Sequence, residues 1–394
     1  MLYTNYTEEI LEIPDIIVTN RKKDDRSIYL YAEMKLKMQV CPNCKMETKR
    51  VHGYRQQQIK DIPMLNRNLV IKLRRRRYYC HHCNKTFFEK LSFLKRYQRI
   101  TVRLMAKIMD DYKREYSTKS IAELNGVSSA TAMRVLDLIS YPLPKLPDVI
   151  GIDEFKGNAG KRKFQCILTN PKKRKVLDIL PSKNSEELYA YFLKFPISER
   201  HNVKYIVMDM SSQFHKVMNL CFPKAQIIVD KFHVCRHITW AVENVRKLEQ
   251  KKFANDRRKY FKRSRWIMLK RFKNLTDEER IQLENMLEVS PRLGDAYLLK
   301  ENFYKFMDSK HIDEAKKNLS EWNIFVGHSK LEEFTKCFDM IQRWQPYIFR
   351  AFSIGYTNGF TEGCNNKIKV LKRNCYGVRN FTRFRNRILH MMSA

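Results

Sequence analysis

Apolar and polar positions alternate in short runs through the first hundred residues. Asp15-Ile16-Ile17-Val18-Thr19 and Ser27-Ile28-Tyr29-Leu30-Tyr31 flank the polar stretch from Asn20 to Arg26, which predicts a β-hairpin. Asn68-Leu69-Val70-Ile71-Lys72-Leu73 continues into Arg74-Arg75-Arg76-Arg77-Tyr78-Tyr79 and reads as a further strand. From Ile100 to about Ile139 the apolar residues take up helical spacing. Tyr141-Pro142-Leu143-Pro144-Lys145-Leu146-Pro147 interrupts it, because proline lacks an amide hydrogen and cannot continue a helix. The main domain boundary is expected there.

Beyond this linker the pattern turns to short apolar strands. Val149–Phe155, Lys163–Thr169 and Lys175–Leu180 are three of them, joined by the turn-like stretches Gly157–Gly160 and Asn170-Pro171. A helix from Ser185 to Phe195, capped by Asn184 or Ser185, comes next. It is followed by a strand at Val203–Met208, a helix at Ser212–Cys221 and a strand at Ala225–Val229. The order β-β-β-α-β-α-β is that of a ribonuclease H-like core, and by analogy that fold is expected. From Phe232 to about Ser353 the pattern is almost entirely helical.

Charge narrows the choice of partner. Among 394 residues, 77 Lys and Arg face 42 Asp and Glu, a formal charge of +35 that calls for a polyanion, and nucleic acid fits. A hydrophobic fraction of 43% excludes a disordered basic tail. Only 11 Gly argue against Gly-rich phosphate-binding folds. Gly157-Asn158-Ala159-Gly160-Lys161-Arg162 lacks the Ser or Thr that follows the lysine of a P-loop, so no nucleotide cofactor is expected. No apolar run of about 18 residues encodes a membrane span. The opening Met1–Glu9 lacks the basic region and apolar stretch of a secretory signal.

Candidate chemistry is concentrated at a few places. Cys41-Pro42-Asn43-Cys44 and Cys80-His81-His82-Cys83 are two C-x-x-C pairs that can close a tetrahedral structural Zn²⁺ site, with a hairpin inserted in the 35 residues between them. His81 and His82 are expected to point outward, and the six single cysteines to be small buried hydrophobes. Ser120 to Leu136 has helix-turn-helix spacing. Ala122 falls at the crossing, Gly126 in the turn and Ser128 at the cap; Ser129, Thr131 and Arg134 are left for a major groove. Three basic stretches offer phosphate contacts: Arg74, Arg75, Arg76 and Arg77; Arg257, Arg258, Lys262 and Arg263 within a run of 13 Lys/Arg; and Lys369, Lys372 and Arg373. Trp266, Trp322 and Trp344 are expected in the core. Asp153 and Asp209 each end a buried apolar strand, and Glu362 starts a helix in a basic region. Three such acids can hold two Mg²⁺ (or Mn²⁺) for phosphodiester chemistry. Glu154 is the neighbour most easily confused with Asp153.

Gly151-Ile152-Asp153-Glu154-Phe155, Val207-Met208-Asp209-Met210-Ser211, Val229-Asp230-Lys231-Phe232-His233-Val234 and Asn358–Asn366 resemble bacterial insertion-sequence transposases of the DDE class. The branch is the one with an N-terminal zinc-binding domain, a helix-turn-helix and a helical insertion in the catalytic core. The resemblance implies Asp153, Asp209 and Glu362 as the metal-binding triad. It also matches Asp230 and His233 to the acid-x-x-His motif of insertion-bearing members. It implies a multidomain protein: a β-rich zinc-binding domain at 1–98, a helix-turn-helix domain with linker at 99–147, an α/β ribonuclease H-like core at 148–231, an all-helical insertion at 232–354, and a core C-terminal helix carrying the third acid at 355–394. The expected activity is binding of terminal inverted repeats, Mg²⁺-dependent strand cleavage and strand transfer, by a homodimer on DNA in the bacterial cytoplasm at the nucleoid. The rival reading is a catalytically silent zinc-dependent DNA-binding regulator derived from such an enzyme.

Overall fold

A computed structural model describes residues 11–263 and 265–393, with the side chains of Asn255 and Arg257 left out. The opening segment Met1–Glu9, read for a signal, and the Arg257 side chain lie outside the described residues. The chain forms two compact units, Met1–Pro142 with Ile368–Ala394, and Leu143–Lys367.

The first unit opens with strands β1 (Ile16–Lys23) and β2 (Ser27–Met34), the expected hairpin, with β1 continuing through its exposed polar residues. Next come β3 (Gln39–Val40), β4 (Glu47–Thr48), β5 (Val51–Met64), β6 (Arg67–Cys80) and β7 (Lys85–Phe88). The sheet order is β1-β2-β6-β5, with β7 on the end of β6. β5 and β6 are the inserted hairpin between the cysteine pairs, closed by Leu65 and Asn66, both at positive φ as a tight two-residue turn requires. Leu30, Ile59, Leu69, Ile71 and Leu73 alternate into its core. Helices α1 (Val102–Asp111), α2 (Thr118–Leu124) and α3 (Ser129–Leu136) follow. Ala122, Ala132, Val135 and Leu136 pack together, and the Ser128 hydroxyl caps α3 by accepting the Thr131 amide at 3.2 Å. Gly126 turns the chain at φ 60°, where a Cβ would lie 1.9 Å from Asn68 Oδ1.

The second unit contains β8 (Val149–Phe155), β9 (Gln165–Asn170), β10 (Lys175–Leu180), α4 (Ser185–Phe192), α5 (Ile197–His201), β11 (Tyr205–Met208), α6 (Ser212–Cys221) and β12 (Gln226–Val229). The five strands form one mixed sheet, ordered β10-β9-β8-β11-β12, antiparallel up to β8 and parallel from there. Ile150, Ile152, Ile206 and Met208 face α4 and α6; Val149, Val207 and Ile228 face the opposite way. Helices α7 (Lys231–Lys251), α8 (Asn255–Arg263), α9 (Arg265–Leu269), α10 (Asp277–Val289), α11 (Pro291–Met307), α12 (Ile312–Ser329) and α13 (Glu332–Ile354) then share a core around Phe303, Phe306, Trp322 and Phe334. Trp322 is fully buried and Trp344 packs against the core, but Trp266 is 70% exposed, so the core placement expected for it fails.

The chain closes with α14 (Gly359–Asn374), which crosses the division between the units, and α15 (Phe381–Met392). The segment 355–394, expected as the core's C-terminal part with a helix carrying Glu362, holds that helix and a second one, and residues from Ile368 on group with the N-terminal unit. α15 does so by donating to backbone carbonyls. The buried Arg387 guanidinium serves Tyr112 O, Arg114 O and Tyr116 O, Asn386 serves Ile139 O at 2.7 Å, and the His390 ring meets Met109 O at 2.7 Å. Burial pulls the Arg387 pKa down to about 10, leaving it charged at neutral pH.

Candidate functional site

The two cysteine pairs come together. Cys41 and Cys83 Sγ are 3.6 Å apart, Cys44 and Cys80 Sγ 3.5 Å, and all four lie within 4.8 Å of one another. Sulfurs about 2.3 Å from one tetrahedral Zn²⁺ would be separated by about 3.8 Å, so the cluster has the right size. The β3–β4 and β6–β7 hairpins present the two pairs, and the residue after each second cysteine, Lys45 or Asn84, turns the chain at positive φ. The Cys44 backbone N–H, aimed at Cys41, pulls that thiol down to about 6, toward the thiolate a metal needs. His81 and His82 are exposed, as expected.

The acids gather around β8. Asp153 has the parity of Val149 and Gly151 and so faces away from α4 and α6, whereas Glu154 has the parity of Ile152 and pairs with Lys183 at 2.7 Å. β8 runs on past Asp153 to Phe155, so Asp153 lies inside its strand rather than at the end. Val207 pairs with Gly151, and Asp209 follows just past the end of β11, near enough for its charge to help raise the Asp153 pKa. Asp230 directly follows β12 and starts α7, whose first turn carries His233. His233 Nδ1 is 3.3 Å from Asp230 Oδ2 and 3.8 Å from Glu362 Oε1, in the first turn of α14. The ligand atoms of Asp230, His233 and Glu362 all lie within 4.8 Å of one another; Asp153 and Asp209 do not join that set at this spacing.

Burial dominates the electrostatics. It pushes the Asp153 carboxyl up to about 6, against the pull of His233, and raises Asp209 as well. Burial alone would lower His233, but its bond to Asp230 and the fields of Asp153 and Asp209 outweigh it and raise its pKa. Asp209 Oδ1 is buried without a hydrogen-bond partner. An orphaned carboxylate oxygen among other carboxylates is a hard donor set, which suits Mg²⁺ or Mn²⁺.

The site also holds two residues left without a role by sequence alone, although both lie in the Asn358–Asn366 motif. Asn358 donates its backbone N–H to Asp230 Oδ1 at 3.3 Å, and Asn365 donates Nδ2 to Asp153 Oδ2 at 2.8 Å. Asn358 stands just before α14 and Asn365 two turns further on, with Glu362 between them.

The candidate DNA contacts divide. Ser129 and Arg134 are exposed on α3, while the Thr131 hydroxyl is 3.0 Å from that of Ser128 and serves the cap. Arg74 and Arg77 are exposed. Arg76 is buried, 3.7 Å from Glu89 and 3.5 Å from Glu33, so its expected phosphate contact is corrected to a structural ion pair. Arg75 is half-buried and holds Glu89 O at 2.8 Å and Gln57 Oε1 at 3.2 Å. Arg258, Lys262, Arg263, Lys369 and Arg373 are exposed, and Lys372 is partly so.

Comparison with known families agrees with this layout. Residues 37–83 match the zinc-finger of transposase IS204/IS1001/IS1096/IS1165, and residues 89–140 the helix-turn-helix domain of transposase family ISL3. Residues 150–388, more than half of the chain, match the DDE transposase model of the same family. The chain belongs to the ISL3 family of transposases. Within the ISL3 family it is similar to the transposase for insertion sequence element IS1001 of Bordetella parapertussis, 24% identical over 363 residues that cover 90% of this chain and 89% of that one. It is also similar to the transposase for insertion sequence element IS1557 of Mycobacterium tuberculosis, 24% identical over 258 residues, 59% of this chain and 57% of that one. A 107-residue stretch is 33% identical to a Lactococcus lactis protein named ATP-dependent protease. It covers 27% of this chain and 33% of that one, too little to bear on the activity of an ISL3 transposase. The four-cysteine ribbon supports structural zinc, and the helix-turn-helix domain implies DNA binding. No helix among the described residues is long and apolar enough to cross a membrane.

Proposed function

We propose that this ISL3 transposase cuts and joins DNA at the ends of its own insertion sequence, with Asp153, Asp209 and Glu362 holding Mg²⁺ or Mn²⁺ on a ribonuclease H-like core. The observation that supports this reading is the convergence of acids around the paired β8 and β11, with Asp209 and Glu362 both acting on the Asp153 carboxyl, together with the His233 contact to Glu362. The strand order, with β8 central and parallel to β11, supports the ribonuclease H-like assignment. Bound divalent cations would activate the attacking hydroxyl and stabilise the leaving oxygen of the phosphodiester. Asp230 engages His233 through Nδ1, which leaves Nε2 to donate to a phosphate oxygen, and the raised pKa of the ring favours the charged form that does so. The zinc ribbon and α3 grip the terminal inverted repeats. The helices from α7 to α13 contact flanking DNA or a second copy of the chain, which acts as a homodimer. Water attack on the phosphodiester would free a 3′-OH and leave a 5′-phosphate. That 3′-OH would attack a target phosphodiester and displace the target strand's 3′-oxygen.

Cleavage of labelled element ends, run beside a gel shift on the same DNA, tests this. Asp209→Asn removes a negative charge with little change of shape and should abolish cleavage while sparing binding. Glu154→Gln should remain active, because Glu154 faces Lys183. Wild-type cleavage by Asp209→Asn would overturn the triad. End binding without cleavage by the unaltered protein would favour a silent regulator.

A further inference from the structure

Where α14 meets the sheet, it presents polar groups instead of an apolar stripe. Asn358 and Thr361 are fully buried, and Asn365 is 5% exposed. The Thr361 and Thr169 hydroxyls are 2.8 Å apart, and Asn358 Nδ2 donates to Ile152 O at 3.5 Å. Gly151 admits this approach, since a Cβ there would lie 2.4 Å from Thr169 Oγ1 and 3.1 Å from Thr361 Oγ1. A buried polar face costs stability unless its groups are satisfied. Asn358 and Thr361 tie α14 to the strands as structural fastenings. Asn365 differs, because its contact is a candidate metal ligand.

The Asp153 carboxylate is held from two sides. Its Oδ1 accepts the Glu154 backbone N–H at 2.8 Å, and its Oδ2 accepts Asn365 Nδ2 at 2.8 Å. A carboxylate only accepts, so the Asn365 amide is oriented with its NH₂ toward Asp153 and its carbonyl oxygen away. That carbonyl oxygen is buried and has no donor. A stranded acceptor is costly to bury, and Asn358 Oδ1 on the same face is stranded too.

We propose that Asn365 is a positioning residue of the cation centre: its NH₂ fixes the Asp153 carboxylate in the orientation in which it would hold a bound cation. The inference rests on Asp153 and Asp209 being cation ligands. Asn365 lies one helical turn beyond Glu362, so the same helix that carries the third acid also sets the orientation of the first. The docking of α14 thereby couples the two.

Mn²⁺ binding to the full chain, followed by electron paramagnetic resonance of the free ion and independent of DNA cleavage, tests this. Asn365→Ala should weaken Mn²⁺ about 10- to 100-fold, as losing a group that orients a metal ligand does. Thr361→Val, which removes a hydrogen bond from the same buried face while keeping its volume, should lower the melting temperature yet leave Mn²⁺ affinity unchanged. Unchanged affinity in Asn365→Ala, or equal losses in both variants, would overturn the positioning role. Asp153→Asn and Asp209→Asn separate the two readings. If they lose Mn²⁺ and Asn365→Ala does not, only this inference fails. If they retain it, or if the unaltered protein binds no Mn²⁺, the triad fails and takes this inference with it.

Discussion

Arg387→Ala removes the guanidinium that fastens α15 to the loop after α1. Three carbonyls lose their donor, but not equally: Arg114 and Tyr116 are exposed and water can replace the bond, whereas Tyr112 is 1% exposed and its carbonyl is stranded. One buried acceptor without a partner costs about 1–3 kcal/mol. The guanidinium also lies 4.5 Å from the Tyr112 ring centroid, a desolvated cation–π contact of about 1–2 kcal/mol. With the lost packing of the buried stem, the expected destabilisation is about 3–5 kcal/mol, at the severe end for one substitution. Arg383→Ala is the control. Its bidentate pair with Asp137, 2.7 Å on each arm, is more than a third exposed and should contribute less than about 1 kcal/mol. Arg387→Lys should rescue little, because one ammonium cannot reproduce a planar fork. Urea denaturation of the full chain, with hydrogen exchange reporting on residues 102–136, measures these losses. A difference below about 1 kcal/mol between Arg387→Ala and Arg383→Ala would refute the reasoning about which acceptors water can reach.

Three further outcomes are expected. Chelation of zinc, or Cys41→Ser or Cys80→Ser, should unfold the ribbon while leaving the β8–β12 sheet intact by hydrogen exchange; metal analysis finding no zinc in protein purified without chelator would contradict this. Arg134→Ala should weaken binding to the element's own ends about 10- to 100-fold but barely change binding to random DNA, as a base contact does; equal losses by gel shift would mean a phosphate contact instead. Gly151→Ala should cost about 1–3 kcal/mol in denaturant, since its methyl would overlap Thr169 and press on Pro171, 3.0 Å away; near-native stability would show that α14 can retreat.

The β8–β12 sheet was legible because parallel strands covered on both faces are written as apolar runs, and an acid within or just after such a run stands out. The ribbon was legible because thiolate spacing is set by metal geometry. β5 was not: it is an edge strand whose alternation buries little beyond Ile59 and Asp61, so its polar text carries no period. Nothing in a run of four arginines marks Arg76 as the inward one, because its partners, Glu33 and Glu89, are supplied by distant strand pairing. Asn365 escaped for a related reason. A polar residue on a helix reads as solvent-facing unless the surface it meets is already known to be polar.

The β5–β6 hairpin links the cysteine cluster to the turn between α2 and α3. From the zinc ligand Cys80 back along β6 to Val70 is ten residues, about 33 Å of strand. Val70 pairs with Lys60, whose ammonium holds Gly126 O, in the turn between α2 and α3, at 2.6 Å. One turn of B-DNA advances about 34–36 Å. If the cysteine cluster and α3 both touch DNA, as proposed above, this length of strand would set their contacts about one turn of duplex apart. Inserting about five base pairs between the two contact points would rotate one of them to the far side of the duplex, a misfit that a paired, core-backed ribbon cannot bend to absorb.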